Sequence, residues 1–393
     1  QTWRSCCHER QPLPPPLLFA ANCSALATRH GTAHIAASIC CALTYLRTSA
    51  NMGCVMSTAI AFLLCNHRCS VERLTATMAF FPPSPPSYAI ETDADGTASI
   101  HYAHPEMEAA ARHLHTTITP TVRLLETARR QQIVLLHFAC PGARTTLLWS
   151  HGNAMDVGEM YFFFVQLAER LRVNIAAYDY SGYGGSTGEP NESNTYADID
   201  AVYEHLTASL AVDAESDLVL YGQSVGSGPS LWLASRRRVS ALVLHTPLLS
   251  GLRVLIPPSQ GFCSVGGCCS PVCMYALCDP YPNFRRIKKA TCPVLLIHGT
   301  HDQTISCSHS FQLLARVPER YKREPFIIDG AGHDNIVEYD PEEYFAAVGA
   351  FLASVHEEPA PSSALPGGAT PSGDTPILPV LTDGGQACRS SGH

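Results

Sequence analysis

Six short, unbroken apolar runs constrain the fold of this chain more than any other feature of its sequence. They occupy 145–150, 174–180, 217–222, 240–246, 292–299 and 325–330. A half-exposed strand alternates apolar and polar residues, whereas continuous runs of this length are typical of parallel strands buried on both faces. Helical patterns lie between most of the runs. The sequence therefore predicts an α/β protein with a doubly wound, mostly parallel sheet.

The helical pattern is clearest in the segment 193–210. Its apolar residues recur every three or four positions, so they share one face of a helix. These residues are Tyr196, Ile199, Val202, Leu206 and Leu210. Ser193 or Asn194 is predicted to cap the N-terminus, because both side chains can accept a hydrogen bond from the first turn.

Composition divides the chain of 393 residues into three parts. Residues 1–85 are rich in cysteine and are predicted to be disordered or membrane-associated. Residues 86–356 contain the apolar runs and form the predicted α/β domain. Residues 357–393 are a Pro/Gly/Ser-rich tail that is too polar to bury a core, which predicts disorder.

Charge and cysteine placement exclude some classes of function. The formal net charge of −8 gives no sign of the basic footprint of a nucleic-acid-binding protein, so nucleic acid is not an expected partner. The 17 cysteines fall mostly in two local clusters, before residue 70 and between 263 and 278. This distribution favours a reducing compartment over a secreted disulfide scaffold. The apolar runs near the N-terminus are shorter than the ~20 residues that span a bilayer.

The motif "GQSVG" at 222–226 follows one predicted strand directly and begins a helical segment. A G-x-S-x-G in this context is a nucleophile elbow, a turn so sharp that the positions two before and two after the serine leave no room for side chains. The motif places Ser224 above the sheet at the start of a helix. Ser224 is therefore the predicted nucleophile.

Two further strand ends contain the residues that a serine nucleophile needs. His333 is the predicted base, because a hydroxyl is a poor nucleophile until a base takes its proton. Asp302 would orient that imidazole and stabilise its charged form. Asp329 and Asp334 flank His333, but as sequence neighbours they are poorly placed to face its ring. The chain order Ser, Asp, His is that of the α/β-hydrolase fold, which is the predicted fold, with a short cap insertion.

Two other site types are disfavoured, and no metal or cofactor is predicted. His298, His301 and Asp302 lie close together in sequence, but no helical H-E-x-x-H accompanies them. The glycine-rich "DYSGYGGSTGE" lacks the G-K-[ST] ending of a phosphate-binding loop, so it is interpreted as a structural loop.

Acyl transfer also needs donors for the oxyanion. The backbone N–H of Val225, directly after the nucleophile, is the first candidate. The loop "SHGNAMD" (150–156) follows an early strand, and the backbone N–H of Asn153 or Ala154 is the second. Loss of one such donor typically costs about 3–4 kcal/mol of transition-state stabilisation.

Several longer segments resemble the α/β-hydrolase domain-containing protein 17 family. These segments are "SHGNAMDVGEM", "YDYSGYGGSTGEPNESNTYADIDAVYEHL", "LYGQSVGSGPS", "HTPLLSGLRV" and "PVLLIHGTHDQTI". The resemblance runs from about Thr77 to Leu352 and includes "MAFFPPSPPSY". It implies a membrane-associated serine hydrolase that removes palmitate from S-acylated proteins, with Ser224, Asp302 and His333 as the triad.

The segment 258–274 departs from the family pattern and is interpreted as an insertion between the fourth apolar run and the acid. Its region is rich in cysteine, at Cys263, Cys268, Cys269, Cys273 and Cys278. We expect a mobile flap beside the substrate entrance. Zinc binding is the alternative, although the spacing lacks a C-x2-C pair.

The hexapeptide "MGCVMS" (52–57) resembles the start of a lipidated protein. If Met52 is the initiator, its removal exposes Gly53, and Ser57 completes the N-myristoylation pattern M-G-x-x-x-[ST]. Residues 1–51 would then be absent from the mature protein. The alternative is a chance hexapeptide in an alanine-rich leader.

A single myristoyl chain binds membranes only marginally, so a second anchor is required. Cys54, Cys65 and Cys69 are the candidates for palmitoylation, fewer than in the dense cluster of the family. The expected location is the cytoplasmic face of the plasma membrane or endosomes, as a peripheral, lipid-anchored protein. The expected substrates are S-acylated membrane proteins.

Three functions remain open from the sequence. The first is hydrolysis of acyl thioesters on membrane-bound proteins. The second is hydrolysis of lipids or small esters by the same triad. The third is a catalytically inactive membrane adaptor, which the complete triad disfavours.

Overall fold

The computed structural model describes residues 79–114, 118–255 and 279–357, together with Arg73, Ala76 and Thr77. The lipidation candidates Gly53, Cys54, Cys65 and Cys69 lie outside these residues. So do the cysteine-rich insertion at 258–274 and the tail from 358 onward.

Eight strands of the described chain form one sheet, and two more form a separate hairpin. The strands are β1 Tyr88–Thr92, β2 Ala98–Tyr102, β3 Pro120–Glu126, β4 Gln132–Phe138, β5 Thr146–Ser150, β6 Asn174–Tyr178, β7 Leu218–Gln223, β8 Ala241–His245, β9 Val294–Gly299 and β10 Phe326–Ile328. The sheet order is β10-β9-β8-β7-β5-β6-β4-β3. All neighbours are parallel except β4, which runs antiparallel to both β3 and β6.

The helices described are α1 Pro105–His113, α2 Tyr161–Leu171, α3 Glu192–Glu204, α4 Ser227–Ala234, α5 Gly251–Leu255, α6 Asn283–Arg286, α7 Ser308–Leu314, α8 Ile336–Tyr339 and α9 Pro341–Glu357. They cover both faces of the sheet, which confirms the predicted doubly wound α/β fold. Phe164 of α2 and Val348 of α9 pack on one face. Val202 of α3 and Leu231 of α4 pack on the other.

All six predicted strands are present as β5 to β10; five lie within the predicted run, and β7 extends one residue beyond it, to Gln223. β1 to β4 are not among the predicted strands. β1 is short and mostly exposed, and β2 and β3 are only partly buried, so none of the three is an unbroken apolar run. β4 does contain a buried apolar run, from Ile133 to Leu136, and follows the same rule as the predicted strands.

The helix predicted at 193–210 is displaced at both ends. Its cap is Asn191, not Ser193 or Asn194: the Asn191 side chain accepts a hydrogen bond from the Asn194 backbone at 2.8 Å. A π-turn over His205–Ser209 ends the helix. Leu206 remains buried, but Leu210 follows the last turn and is 42% exposed, so it does not belong to the apolar face.

The sheet order brings the site to one edge. β5 lies between β6 and β7, so the chain passes to one side of β5 and then crosses back to the other. In open α/β sheets, the carboxyl ends of strands at such a reversal form the binding crevice. The segments that follow β5, β7, β9 and β10 contain every residue of the predicted site.

Candidate active site

Ser224 lies at the sharp turn between β7 and α4, in a short 3-10 segment over Ser224–Gly226. Its φ is +53°, in the left-handed region that L-residues rarely occupy. A side-chain carbon on Gly222 would lie 2.7 Å from the Gly226 carbonyl oxygen. One on Gly226 would overlap the Ser150 carbonyl at the end of β5. The two glycines therefore allow the strained turn and its close approach to the neighbouring strand.

Ser224, His333 and Asp302 form one hydrogen-bonded chain across three strand ends. His333 Nε2 lies 3.0 Å from the Ser224 hydroxyl oxygen. His333 Nδ1 lies 2.6 Å from Asp302 Oδ2. The structure thus brings together the three residues singled out in the sequence, although they are up to 109 positions apart.

Asp302 has a full set of hydrogen-bond donors. Its Oδ1 accepts from the backbone N–H groups of Thr304 at 2.8 Å and Ile305 at 2.7 Å. Burial alone would raise the pKa of the Asp302 carboxyl, but the hydrogen bonds from His298, His333 and Ile305 outweigh it and hold that pKa below its usual range. Asp302 is therefore an ionised partner for His333 at neutral pH.

The alternative acid beside His333 has another partner. Asp329 accepts a hydrogen bond from the Thr300 hydroxyl at 2.8 Å. Asp334 is exposed. The expectation that sequence neighbours of His333 are poorly placed to face its ring agrees with this geometry.

His298 and His301 do not converge on a common point. His298 is fully buried, with Nε2 3.0 Å from Asp302 Oδ2. His301 is exposed, and its Nδ1 lies 3.1 Å from the Thr300 hydroxyl. Within the described ranges, no group of three or more His, Cys, Asp or Glu side chains is arranged to hold a metal ion.

The loop after β5 is held in place by the side chain of Asn153. Its Oδ1 accepts hydrogen bonds from the backbone N–H of Ala154 at 2.9 Å and of Phe81 at 2.8 Å, and from the Tyr183 hydroxyl at 2.8 Å. Because the Ala154 N–H is engaged in this way, Asn153 is the better of the two predicted oxyanion donors. Val225, directly after the nucleophile, remains the other predicted donor.

The contact with Phe81 connects the segment before β1 to the loop after β5. This connection is not predicted from the sequence. The Phe80 ring is buried edge-on against Tyr183, with ring centroids 6.3 Å apart, and against Tyr281 at 6.4 Å. The Phe81 side chain itself is 42% exposed. The family-like "MAFFPP" is the only sequence signal that marks this segment.

Two buried carboxylates lie beneath the same loop and were also not predicted. Asp179 accepts from the Val157 N–H at 3.0 Å and from the Tyr88 hydroxyl. Asp156 accepts from both the N–H and the hydroxyl of Ser87. These bonds attach the β1 end to the loop that follows β5. The sequence signal for them is weak, because a single Asp after a strand has many possible roles.

A further histidine, His245, lies behind the site at the end of β8. His245 is buried, and its Nδ1 lies 2.9 Å from the Tyr221 hydroxyl, which in turn lies 2.8 Å from the Tyr344 hydroxyl. Burial, together with His333 and His298, lowers the pKa of His245 to about 3. His245 is therefore neutral at physiological pH.

Comparison with known proteins agrees with this geometry. The family model of the alpha/beta hydrolase fold matches residues 145–262. Alpha/beta hydrolase domain-containing protein 17C of Xenopus tropicalis is 37% identical over 314 residues, which cover 76% of this chain and 94% of that protein. Its Homo sapiens counterpart is 42% identical over 234 residues, 59% of this chain and 65% of that protein.

A nematode relative and a solved structure complete the comparison. Alpha/beta hydrolase domain-containing protein aho-3 of Caenorhabditis elegans is 39% identical over 67% of this chain and 73% of its own. The Pyrococcus furiosus esterase Pf2001 aligns over 61% of this chain and 93% of its own, with 18% identity and a TM-score of 0.49. Identity above one third over nearly the whole length of a relative leaves one assignment: the chain belongs to the alpha/beta hydrolase domain-containing protein 17 family.

Proposed function

We propose that this protein is a serine hydrolase that removes palmitoyl and related S-acyl groups from membrane-bound proteins. The observation that carries hydrolysis is the unbroken chain from Ser224 through His333 to Asp302 at a strained elbow. The thioester substrate rests on the resemblance of the sequence motifs to a family of protein depalmitoylases.

In the first step, the Ser224 hydroxyl attacks the acyl carbonyl while His333 Nε2 takes its proton. Since Nδ1 of His333 faces an ionised carboxylate, it carries a hydrogen, which leaves Nε2 as the acceptor. The negative charge that develops on the carbonyl oxygen is stabilised by the backbone N–H groups of Val225 and Asn153. The tetrahedral species collapses, the C–S bond breaks, and the cysteine sulfur leaves with the proton from His333.

In the second step, water attacks the acyl group that is now esterified to Ser224. His333 takes a proton from the water and returns it to the serine oxygen, which releases a free fatty acid. Asp302 stays ionised through both steps, because its pKa lies below the usual range. It stabilises the imidazolium that forms twice in each cycle.

An enzyme that acts on lipidated cysteines must reach the bilayer surface. In the described part of the chain, no helix has the length and apolarity to span a membrane. We propose anchoring through myristate on Gly53 and palmitate on Cys54, Cys65 or Cys69. The location would then be the cytoplasmic face of the plasma membrane or endosomes, with S-acylated membrane proteins as substrates.

The central experiment is deacylation of a palmitoylated peptide by the wild-type protein and by Ser224→Ala. We expect the variant to lose several orders of magnitude in turnover while retaining the thermal stability of the wild type, since this side chain contributes chemistry and not core volume. Residual turnover above about 1% would indicate another nucleophile.

Two readouts separate this function from its alternatives. A long-chain acyl thioester and a glycerolipid ester of equal chain length, presented in the same vesicles, distinguish a thioesterase from a lipid esterase. A serine-directed fluorophosphonate distinguishes either enzyme from an inactive adaptor. Failure of the wild type to react with the probe, in a folded sample, would favour the adaptor.

The anchoring proposal is tested by mass spectrometry of the native N-terminus and by membrane fractionation of Gly53→Ala. A myristoylated Gly53 and release of the variant from membranes are expected. A mature protein that retains residues 1–51 would contradict the myristoyl assignment. A Gly53→Ala variant that stays fully bound would leave the cysteines as the anchor.

A further inference from the structure

His298 lies on β9 and is fully buried, yet it is not part of the three-residue chain. Its Nε2 faces the Ile305 carbonyl oxygen at 2.9 Å and Asp302 Oδ2 at 3.0 Å. Both oxygens only accept hydrogen bonds, because Asp302 is ionised. The hydrogen of His298 must therefore be on Nε2, and Nδ1, 2.7 Å from the Ser310 hydroxyl oxygen, accepts a hydrogen bond from it.

This arrangement gives Asp302 Oδ2 two imidazole donors, Nδ1 of His333 at 2.6 Å and Nε2 of His298 at 3.0 Å. The other oxygen, Oδ1, accepts the two backbone N–H groups of Thr304 and Ile305. Each donor withdraws some of the carboxylate charge from the others. The charge that His333 meets is therefore smaller than that of an aspartate bonded to a single histidine.

Apart from Asp302, the titratable groups near His298 and His333 are neutral at physiological pH. Burial and His298 lower the pKa of His309 on α7 to about 4. Burial, with Asp302, raises the pKa of the Cys307 thiol. Burial also raises the pKa values of Tyr221 and Tyr344.

The Arg253 guanidinium, which lies close enough to His309 to lower its pKa, is paired with Asp279. His245 is neutral as well, so Asp302 is the charge that His298 and His333 share.

We propose that His298 is a positioning residue that shares the Asp302 carboxylate with His333 and thereby sets how strongly His333 holds its proton. The proposal rests on the hydrolase function proposed above. Hydrolysis requires His333 neutral, so activity is lost as pH falls through the point at which His333 takes up a proton. If the His298 donor is removed, more of the Asp302 charge acts on His333. The acid limb of the pH profile must then move to higher pH.

The test compares three substitutions by the pH dependence of kcat/KM on a soluble acyl thioester. For His298→Leu, which removes the donor and keeps an apolar side chain of similar size, we expect the acid limb to move up by roughly 0.5–1 pH unit. For His298→Gln, whose side-chain amide nitrogen reaches the position of Nε2, we expect a midpoint close to wild type. Ser310→Ala weakens the polarisation of His298 from its far side, so a smaller shift in the same direction is expected.

A second measurement does not depend on turnover. The His333 imidazole is titrated by NMR in wild type, His298→Leu and His298→Gln. A higher midpoint in His298→Leu, with His298→Gln near wild type, supports the proposal. An unchanged midpoint in His298→Leu overturns it, whatever the activity of that variant, because packing alone would then explain the residue.

Failure of the proposed hydrolase function is distinguishable from failure of this inference. If wild type cleaves no ester or thioester, the function fails, while the NMR titration still decides the role of His298. If His298→Leu does not fold, as judged by circular dichroism, the Ser310→Ala titration decides. A midpoint in Ser310→Ala that is unchanged or lower would then overturn the proposal.

Discussion

The loop regions on the two sides of Ser224 both contain buried aspartates, and the pKa values of Asp302 and Asp156 are shifted in opposite directions. After β9, Asp302 has four hydrogen-bond donors, two of them imidazoles, and its pKa lies below the usual range. After β5, Asp156 has three donors but faces Asp179. Burial and the charge of Asp179 together raise the pKa of Asp156.

The difference lies in the neighbours and not in the residue type. Burial favours the neutral carboxyl at both places. Around Asp302, the hydrogen bonds that the carboxylate accepts stabilise its charged form by more than burial destabilises it. Beneath the β5 loop, a second and a third carboxyl, Asp179 and Glu159, add repulsion. We therefore expect Asp302 to act in the chemistry and the second group, which we call the β5 carboxylate cluster (Asp156, Glu159 and Asp179), to act through stability.

Among the substitutions that compare the two regions, Asp302→Asn should cause the largest loss of kcat. The amide can no longer stabilise a charged His333 or keep its hydrogen on Nδ1, so kcat should fall about 10⁴-fold in a protein that is still folded. The measurement is steady-state kinetics together with a thermal melt. Asp329→Asn, on the neighbouring loop after β10 and bonded to Thr300, is the matched control.

Retention of more than about one tenth of wild-type kcat by Asp302→Asn would contradict the assignment of Asp302 as the acid.

The next largest effect is expected in the loop after β5, at Asn153. Asn153→Ala removes the oxygen that holds the N–H groups of Phe81 and Ala154 and the Tyr183 hydroxyl. The Asn153 N–H then loses its fixed direction, so kcat should fall by about 10–100-fold with a smaller change in KM.

Phe81→Ala retains its backbone N–H and is the control, with near-normal kcat. Equal losses in both variants would indicate a general disturbance of the N-terminal segment and not a loop-specific role.

Tyr88→Phe tests the β5 carboxylate cluster through stability. The substitution removes the hydroxyl that donates to the buried Asp179 Oδ2 and accepts from the Gly185 N–H, so both groups lose a partner. We expect the free energy of unfolding to fall by about 2 kcal/mol in urea titrations.

Tyr102→Phe is a matched control, since the buried hydroxyl of Tyr102 has no hydrogen-bond partner within the described chain. Its loss should cost little, and an equal loss in the two variants would argue against a special role for Tyr88.

The smallest expected effect depends on pH. Burial, Asp156 and Asp179 raise the pKa of Glu159 from 4.5 to about 7. The folded state therefore binds a proton that the unfolded state has lost between these two values, so this group lowers stability as pH rises from about 4.5 to 7.

Glu159→Gln removes that penalty and should stabilise the protein by about 1 kcal/mol at pH 8, after allowance for partial exposure, but not at pH 4. Urea titrations at the two pH values test this. An equal gain at both would show that the charge is not its origin.

Local patterns in the sequence determined strands β5 to β10 and the turn that contains Ser224. The unbroken apolar runs predict β5 to β10, because strands buried on both faces leave no position for polar residues. The glycines around Ser224 predict the elbow, because no other residue fits its close approach to the Ser150 carbonyl. The order of Ser224, Asp302 and His333 then predicts which strand ends meet.

The tertiary structure decided what depends on contacts between distant segments. Asn153 was a candidate only through its backbone, yet its side chain binds Phe81, which lies 72 positions away. Tyr88 and Asp179 are 91 positions apart, and neither has a local pattern that indicates the other. His298 could be a metal ligand from its spacing, and only the fold turns it toward Asp302. The strand pattern depends on neighbours along the chain, whereas the state of a buried charge depends on which donors the fold brings within 3 Å.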